Sequence, residues 1–77
     1  MEITSFIENF VDQFEDANVN QFNPETKFRE AEGWSSLVAL SVLAMIDEEY
    51  DVQLKGEEMK KAQTIQELFD LVQSKID

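Results

Sequence analysis

The sequence of 77 residues contains no cysteine and no histidine. Without cysteine there are no disulfides and no thiolate metal ligands, so the core must hold without covalent staples. Without histidine, the usual general base and the commonest neutral metal ligand are both missing. We therefore expect no resident metal ion, and any proton transfer would depend on carboxylates, lysines or the single tyrosine, Tyr50.

Basic residues are also scarce, since 6 lysines and arginines stand against 17 aspartates and glutamates, for a formal net charge of -11. Such a polyanion repels nucleic-acid phosphates and anionic lipid, so neither is an expected partner. Basic protein surfaces are its natural partners, with an attraction that weakens as salt rises. The acidity is equally compatible with a role only in keeping a small domain soluble.

Long apolar runs are missing as well. No stretch approaches the roughly 20 apolar residues that span a bilayer, and the first residues lack the basic start of a secretory signal. We therefore predict a cytoplasmic protein without a membrane span, and we expect a monomer. The length suits a single domain over residues 1–77. An apolar content of 43% with six phenylalanines favours a folded core over disorder.

Apolar residues recur at spacings of three and four, which predicts three main helices. These cover residues 3–15, 35–50 and 64–76, and a short helical turn is expected at residues 56–61. A long connection over residues 16–34 separates the first two, and Phe22 and Phe28 are expected to pin it to the core. The predicted fold class is all-α, a small four-helix bundle of three main helices and one short helix with a long loop between the first two main helices.

Polar residues that can cap a helix stand at the predicted starts of the main helices. Thr4 or Ser5 is expected to cap the first helix, and Ser35 the second. The last helix begins with Thr-x-x-Glu at Thr64 to Glu67, which is the pattern of a capping box.

The second predicted helix is apolar over most of its circumference, whereas a surface helix normally shows one apolar stripe. Either it is central and buried on several sides, or its second apolar face meets a partner. Its end is acidic, with Asp47, Glu48, Glu49 and Asp51, and acids at that position oppose the helix dipole. A recognition role and a solvated acidic face are both compatible with this pattern.

Ser36 lies in the first turn of this helix, within Gly33-Trp34-Ser35-Ser36-Leu37. A phosphate on its oxygen would meet free backbone amides and the positive end of the helix dipole. Local chemistry alone favours an ordinary capping serine, since serines are common at helix starts. A catalytic serine needs a base and an orienting group, and the sequence has neither histidine nor a Gly-x-Ser-x-Gly elbow. We therefore predict that the chain is not an enzyme and has no catalytic residue.

Several segments follow one family pattern. They are Phe28, Glu30 and Gly33 before the site, Ser36-Leu37 from an Asp-Ser-Leu signature, Glu48-Glu49-Tyr50-Asp51, Glu57-Glu58 and Thr64-Ile65-Gln66. With its length, its acidity and its order of helices, the sequence resembles the acyl carrier protein family over essentially all 77 residues.

The resemblance implies that Ser36 accepts 4'-phosphopantetheine from coenzyme A, added by a phosphopantetheinyl transferase. The thiol of this arm then carries acyl groups as thioesters in a fatty acid, polyketide or specialised acyl pathway. The resemblance also implies an acyl pocket between helices, and a plain core would use the same positions. The matching positions are Ile46, Leu54, Met59, Ala62, Leu68 and Leu71.

Four positions depart from the family pattern. Ser35 replaces the aspartate before Ser36, Val38 and Ser41 replace acids on the partner-facing side of the second helix, and Glu32 replaces an apolar loop residue. A specialised set of partner enzymes therefore fits better than the common fatty acid synthase enzymes.

The expected partners are the transferase and acyl-transferring or synthase enzymes with basic surfaces. They would meet an apolar centre rimmed by acids. The expected contact residues are Leu37, Val38, Leu40, Met45, Asp47, Glu48 and Glu57. The alternative is a module that keeps the carrier fold but binds a basic protein partner without any arm.

Overall fold

The computed structural model describes residues 2–14 and 18–76. Four helices run through them: α1 Ile3–Val11, α2 Ser36–Tyr50, α3 Gly56–Lys61 and α4 Ile65–Ile76. The loop between α1 and α2 contains two 3₁₀ turns, Val19–Gln21 and Phe28–Glu30. Within the described ranges the one β pairing is an isolated bridge between Lys27 and Thr64, so the predicted all-α class is confirmed. None of the described helices is long and apolar enough to cross a membrane.

The predicted caps of α2 and α4 are confirmed. Ser35 Oγ accepts a hydrogen bond from the Val38 amide at 3.2 Å. Thr64 Oγ1 accepts from the Glu67 amide at 3.1 Å. The Glu67 carboxylate in turn accepts from the amides of Gln63 and Thr64 at 2.8 and 3.1 Å. These N–H donors hold the pKa of Glu67 below its ordinary value, because they stabilise the ionised carboxylate.

The predicted cap of α1 is wrong. The N-cap is Glu2, and its side chain makes no capping hydrogen bond. The amide of Phe6 bonds to the Glu2 carbonyl at 3.2 Å. The helix has therefore already begun before the hydroxyl of either Thr4 or Ser5 could cap it.

The end of α1 also differs from the prediction, which extended the helix through residue 15. The helix ends at Val11, and the amides of Gln13 and Phe14 bond to carbonyls three residues back, Phe10 and Val11, at 3.1 and 3.0 Å. This tighter turn still buries Phe14, which is 7% exposed. The apolar spacing therefore continues past the helix. The last predicted residue, Glu15, lies outside the described residues.

The phenylalanines of α1 hold the bundle together. Phe6 and Phe10 are fully buried. Phe6 meets Phe69 of α4 edge-on, with ring centroids 5.5 Å apart, and Phe10 meets Phe28 of the loop in the same manner at 5.6 Å. Phe22 packs against Phe10 at 6.4 Å. The prediction that Phe22 and Phe28 pin the long loop to the core is thus confirmed.

The loop is also tied to the start of α4 by backbone hydrogen bonds. The amide of Ile65 donates to the Thr26 carbonyl at 3.1 Å, and that of Gln66 donates to the Pro24 carbonyl at 2.8 Å. The first amides of a helix have no partner within the helix, so these bonds satisfy donors that would otherwise be free. The part of the loop around Pro24 and Thr26 is therefore fixed against the start of α4.

The negative charge is hardly compensated by ion pairing. Among the described residues one ion pair, Lys75 to Glu58, joins α4 to α3. The structure measures 32 × 24 × 21 Å, so at low salt the acids repel one another across all of it. Raising NaCl from about 0.01 M to about 1 M shortens the Debye length from about 30 Å to about 3 Å.

We therefore expect thermal unfolding, followed by circular dichroism, to show a higher Tm at high salt. A gain of about 1 kcal/mol in the free energy of unfolding corresponds to a rise in Tm of about 4–8 °C for a domain of this size. The triple variant Asp47→Asn, Glu48→Gln and Glu49→Gln lowers the self-repulsion, so its Tm should respond less to salt. An equal response in both proteins would contradict the prediction.

Candidate functional site

The segment before α2 is anchored by one tryptophan. Gly33 has φ +92°, a left-handed conformation that favours glycine, and it turns the chain toward the helix. Trp34 follows, half-buried, with its ring stacked parallel to Phe10 at 6.3 Å and edge-on to Phe28 at 5.2 Å. These contacts fix the chain two residues before Ser36.

Ser36 is the first residue of α2 and is exposed. The hydroxyl of Ser35 is already engaged with the Val38 amide. In the part of the chain that the structure describes, the amides of Ser36 and Leu37 face no acceptor. The first turn of α2 contains no acidic residue. A phosphate attached to Ser36 Oγ would therefore meet two free amides and the positive helix end without a neighbouring carboxylate in that turn, and the site fits such a group.

A stripe of exposed residues, apolar in its first three members and acidic in its last, runs down α2 from this site. Leu37 is 74% exposed and Leu40 is 64% exposed, and Ala44 and Asp47 are exposed further along. Steps of three and four residues place these four on one face of the helix, and we call them the α2 stripe. Of the two alternatives left open for α2, burial on this side is not observed, because Leu37 and Leu40 are exposed.

The other predicted contact residues fall into two groups. Glu48 and Glu57 are exposed, and Val38, the third residue of α2, is half-buried. The surface assignment of Met45 is wrong, because its side chain is only 5% exposed and belongs to the same core cluster as Val42. Position 45 lies three residues after Val42, so both turn toward the interior.

The six positions of the predicted acyl pocket are brought together by the fold. All belong to or pack against the apolar core of the bundle, and we call these six residues the interior cluster. Five are buried, and Leu71 is half-buried. The interior cluster consists of Ile46, Leu54, Met59, Ala62, Leu68 and Leu71.

Helix α3 covers part of the interior cluster and is held from two sides. Arg29 of the loop donates from Nη1 to the Met59 carbonyl at 3.2 Å, and its guanidinium lies over the Phe28 ring at 5.2 Å. On the other side Lys75 pairs with Glu58, and this hydrogen bond lowers the pKa of the Glu58 carboxyl. The sequence prediction missed Arg29, because its partner lies 30 positions away and no spacing rule joins them.

Comparison with known proteins agrees with this geometry. Residues 6–72 match the family model described as the phosphopantetheine attachment site. The chain is similar to proteins named acyl carrier protein from Chlorobium phaeobacteroides, Chlorobium phaeovibrioides and Chlorobium luteolum. Each is 33% identical over 58 residues, which is 75% of this chain and 74% of the relative. No solved structure matches the chain significantly.

The chain therefore belongs to the acyl carrier protein family, whose members are carriers rather than enzymes and hold a covalently attached 4'-phosphopantetheine group. The predictions of this prosthetic group and of a role other than catalysis are confirmed by that membership. The family match spans Ser36 and both ends of α2.

Proposed function

We propose that this chain carries acyl intermediates as thioesters on a 4'-phosphopantetheine arm attached to Ser36. One observation carries the choice of residue. Ser36 is the exposed first residue of α2, beside free amides and without an acid in the first turn. Ser35, the neighbouring hydroxyl, is engaged as the helix cap. The pathway is one of fatty acid, polyketide or specialised acyl metabolism.

Attachment uses the Ser36 hydroxyl as the nucleophile. A bond forms between Ser36 Oγ and the phosphorus that bears pantetheine in coenzyme A, and the pyrophosphate bond breaks to release adenosine 3',5'-bisphosphate. The first turn of α2 has no acidic residue that could take the serine proton, so the base belongs to the transferase in this proposal. When attached, the arm supplies a terminal thiol that holds the acyl group.

The interior cluster is the proposed shelter for a long acyl chain. Its side chains are apolar and continuous with the core, so an acyl chain would replace contacts of the same kind. Met59 of α3 is 4% exposed within this cluster, so entry requires α3 to shift. The hydrogen bond from Arg29 and the ion pair with Lys75 would have to break for α3 to shift.

The α2 stripe, together with Glu48 and with Glu57 of α3, is the proposed contact surface for the transferase and for acyl-transferring or synthase enzymes. Leu37 and Leu40 supply an apolar centre, and Asp47, Glu48 and Glu57 supply a negative rim. This arrangement suits enzymes with basic surfaces, since opposite charge speeds association and apolar burial supplies affinity. A cytoplasmic location and a monomeric state stay predictions.

The test is to incubate the purified chain with coenzyme A and a broad-specificity phosphopantetheinyl transferase and to measure intact mass. We expect a gain of one phosphopantetheine unit, which fragmentation should place on Ser36. No gain with several transferases, including one from the native host, would contradict the proposal and favour an unmodified module that binds a basic partner.

A further inference from the structure

A groove of about 850 Å³ lies between the loop and the first part of α2. Phe14 and Phe22 line it from the segment after α1, and Val38 and Ser41 line it from α2. Its volume falls within the roughly 300–1,000 Å³ of small-molecule sites. None of the six residues of the interior cluster lines the groove, although Phe14 belongs to the same apolar core and Phe22 and Val38 pack against it. We call it the loop groove.

The loop groove begins beside the proposed attachment residue. Ser35 and Leu37, the two sequence neighbours of Ser36, both line it. Ser36 itself is exposed. A chain attached to Ser36 Oγ therefore starts at the edge of the groove.

Among the described residues, the lining of the loop groove mixes apolar and neutral polar side chains, and Glu32 is the one charged residue. Gln13 donates a hydrogen bond from Nε2 to the Asn9 carbonyl at 3.1 Å. Its side-chain oxygen can still accept a hydrogen bond from a ligand. Within the described residues, the side chains of Gln21 and Ser41 make no hydrogen bond. Beyond its phosphate, phosphopantetheine is likewise uncharged, and its amides and hydroxyl are separated by methyl-bearing and methylene carbons. The lining therefore has matching partners for both kinds of group.

The four departures from the family pattern all line this groove: Glu32, Ser35, Val38 and Ser41. Three of them place an uncharged side chain where the pattern has an acid. A carboxylate at those three positions would repel a phosphate on Ser36 and would be costly to cover with an apolar chain. The departures at Ser35, Val38 and Ser41 therefore suit a groove that receives a neutral chain, whereas Glu32 adds a charge to its lining.

We infer that the phosphopantetheine arm folds back into the loop groove when it is not engaged by a partner enzyme. The inference rests on the proposed function, since it requires the arm to be attached to Ser36. Phe14, Phe22 and Val38 supply the apolar contacts, and Gln13 and Gln21 supply hydrogen-bond partners for the amides.

The absence of cysteine makes a direct test possible. In the modified chain the arm carries the only thiol, so a nitroxide maleimide labels the end of the arm alone. Nitrogen-15 NMR spectra of the unmodified, modified and labelled chains are then compared after intact mass has verified full modification. We expect changed shifts at Phe14, Gln21 and Phe22 on modification, and strong line broadening at the same residues after labelling. The interior cluster, monitored at Met59 and Leu68, should be broadened less.

Two matched substitutions sharpen the test. Ser41→Phe fills the loop groove with a ring, and Ser74→Phe adds the same ring on the exposed surface of α4, away from the groove. The broadening at Phe14 and Phe22 should fall in Ser41→Phe and persist in Ser74→Phe.

The outcomes separate this inference from the proposed function. A fully modified chain whose signals at Phe14, Gln21 and Phe22 do not change, or whose broadening centres on the interior cluster, would overturn the inference alone. A chain that gains no mass would overturn it together with the proposed function. Shifts confined to residues 35–38 follow from the new bond itself and, without changes across the groove, count against the inference.

Discussion

Replacing Ser36 with alanine is expected to abolish phosphopantetheine attachment, whereas replacing Ser35 with alanine should leave attachment intact and weaken the fold. The two hydroxyls are neighbours, but they have different partners. Ser35 Oγ accepts a hydrogen bond from the Val38 amide. Ser36 is exposed as the first residue of α2, and alanine at that position has no oxygen that could bond to phosphorus.

For stability the order of the two variants should be reversed: Ser35→Ala is expected to be destabilised, and Ser36→Ala is not. Removing an N-cap side chain costs about 1 kcal/mol, because an amide at the helix start loses its acceptor. Ser35→Ala should therefore lower Tm by about 4–8 °C. Ser36→Ala, an exposed substitution without a hydrogen bond to lose, should change the free energy of unfolding by no more than about 0.5 kcal/mol.

Intact mass after the transferase reaction and thermal unfolding of the same preparations measure both effects. Loss of the mass gain in Ser35→Ala together with its retention in Ser36→Ala would move the attachment site by one residue. Retention in both variants, with loss in the double variant, would show that either hydroxyl can be modified. Both outcomes contradict the assignment of Ser36.

Local signals predicted the second half of the fold well. The capping box at Thr64 and Glu67 and the cap at Ser35 depend on residues within one helical turn, so the sequence pattern contains the whole interaction. The end of α1 shows the limit of the same reasoning. The spacing that buries Phe10 and Phe14 is kept by a tighter turn after Val11, so apolar spacing alone does not distinguish helix from 3₁₀ turn.

The predicted surface of α2 failed at one residue for a related reason. A helix that is apolar on most sides carries no pattern that tells an exposed leucine from a buried methionine. Leu37 and Leu40 are 74% and 64% exposed, whereas Met45 is 5% exposed. Which side of α2 is buried depends on where α1 and α4 pack against it, and the sequence of α2 alone does not contain that information.

Contacts between residues far apart in the sequence were also beyond local reasoning. Arg29 reaches the Met59 carbonyl across 30 positions, and the loop groove joins Gln13 and Phe14 to residues of α2. The resemblance to a family supplied Ser36 itself, since local chemistry gave only a place where a phosphate is stable. The fold then showed that the four departures from the family pattern lie around one groove.

Replacing Leu40 with aspartate should weaken recognition by partner enzymes strongly while leaving the fold intact. Leu40 is 64% exposed in the middle of the α2 stripe, and it does not line the loop groove. Fully burying a leucine side chain stabilises by about 1.5–3 kcal/mol, and residues at the centre of an interface can contribute about 2 kcal/mol or more. Aspartate removes that burial and places an unpaired charge in the apolar centre of the contact.

We expect kcat/KM for phosphopantetheine transfer to Leu40→Asp to fall at least about tenfold, equivalent to about 1.4 kcal/mol. The matched control is Gln73→Asp on the exposed face of α4. It makes the same change in charge and introduces the same residue into a helix, so both variants should lose a similar small amount of stability. Steady-state transfer kinetics measured beside thermal unfolding separate the two effects. A comparable loss of kcat/KM in Gln73→Asp would mean that added negative charge, and not the α2 stripe, sets the rate, and an unchanged Leu40→Asp would place the contact surface elsewhere on the molecule.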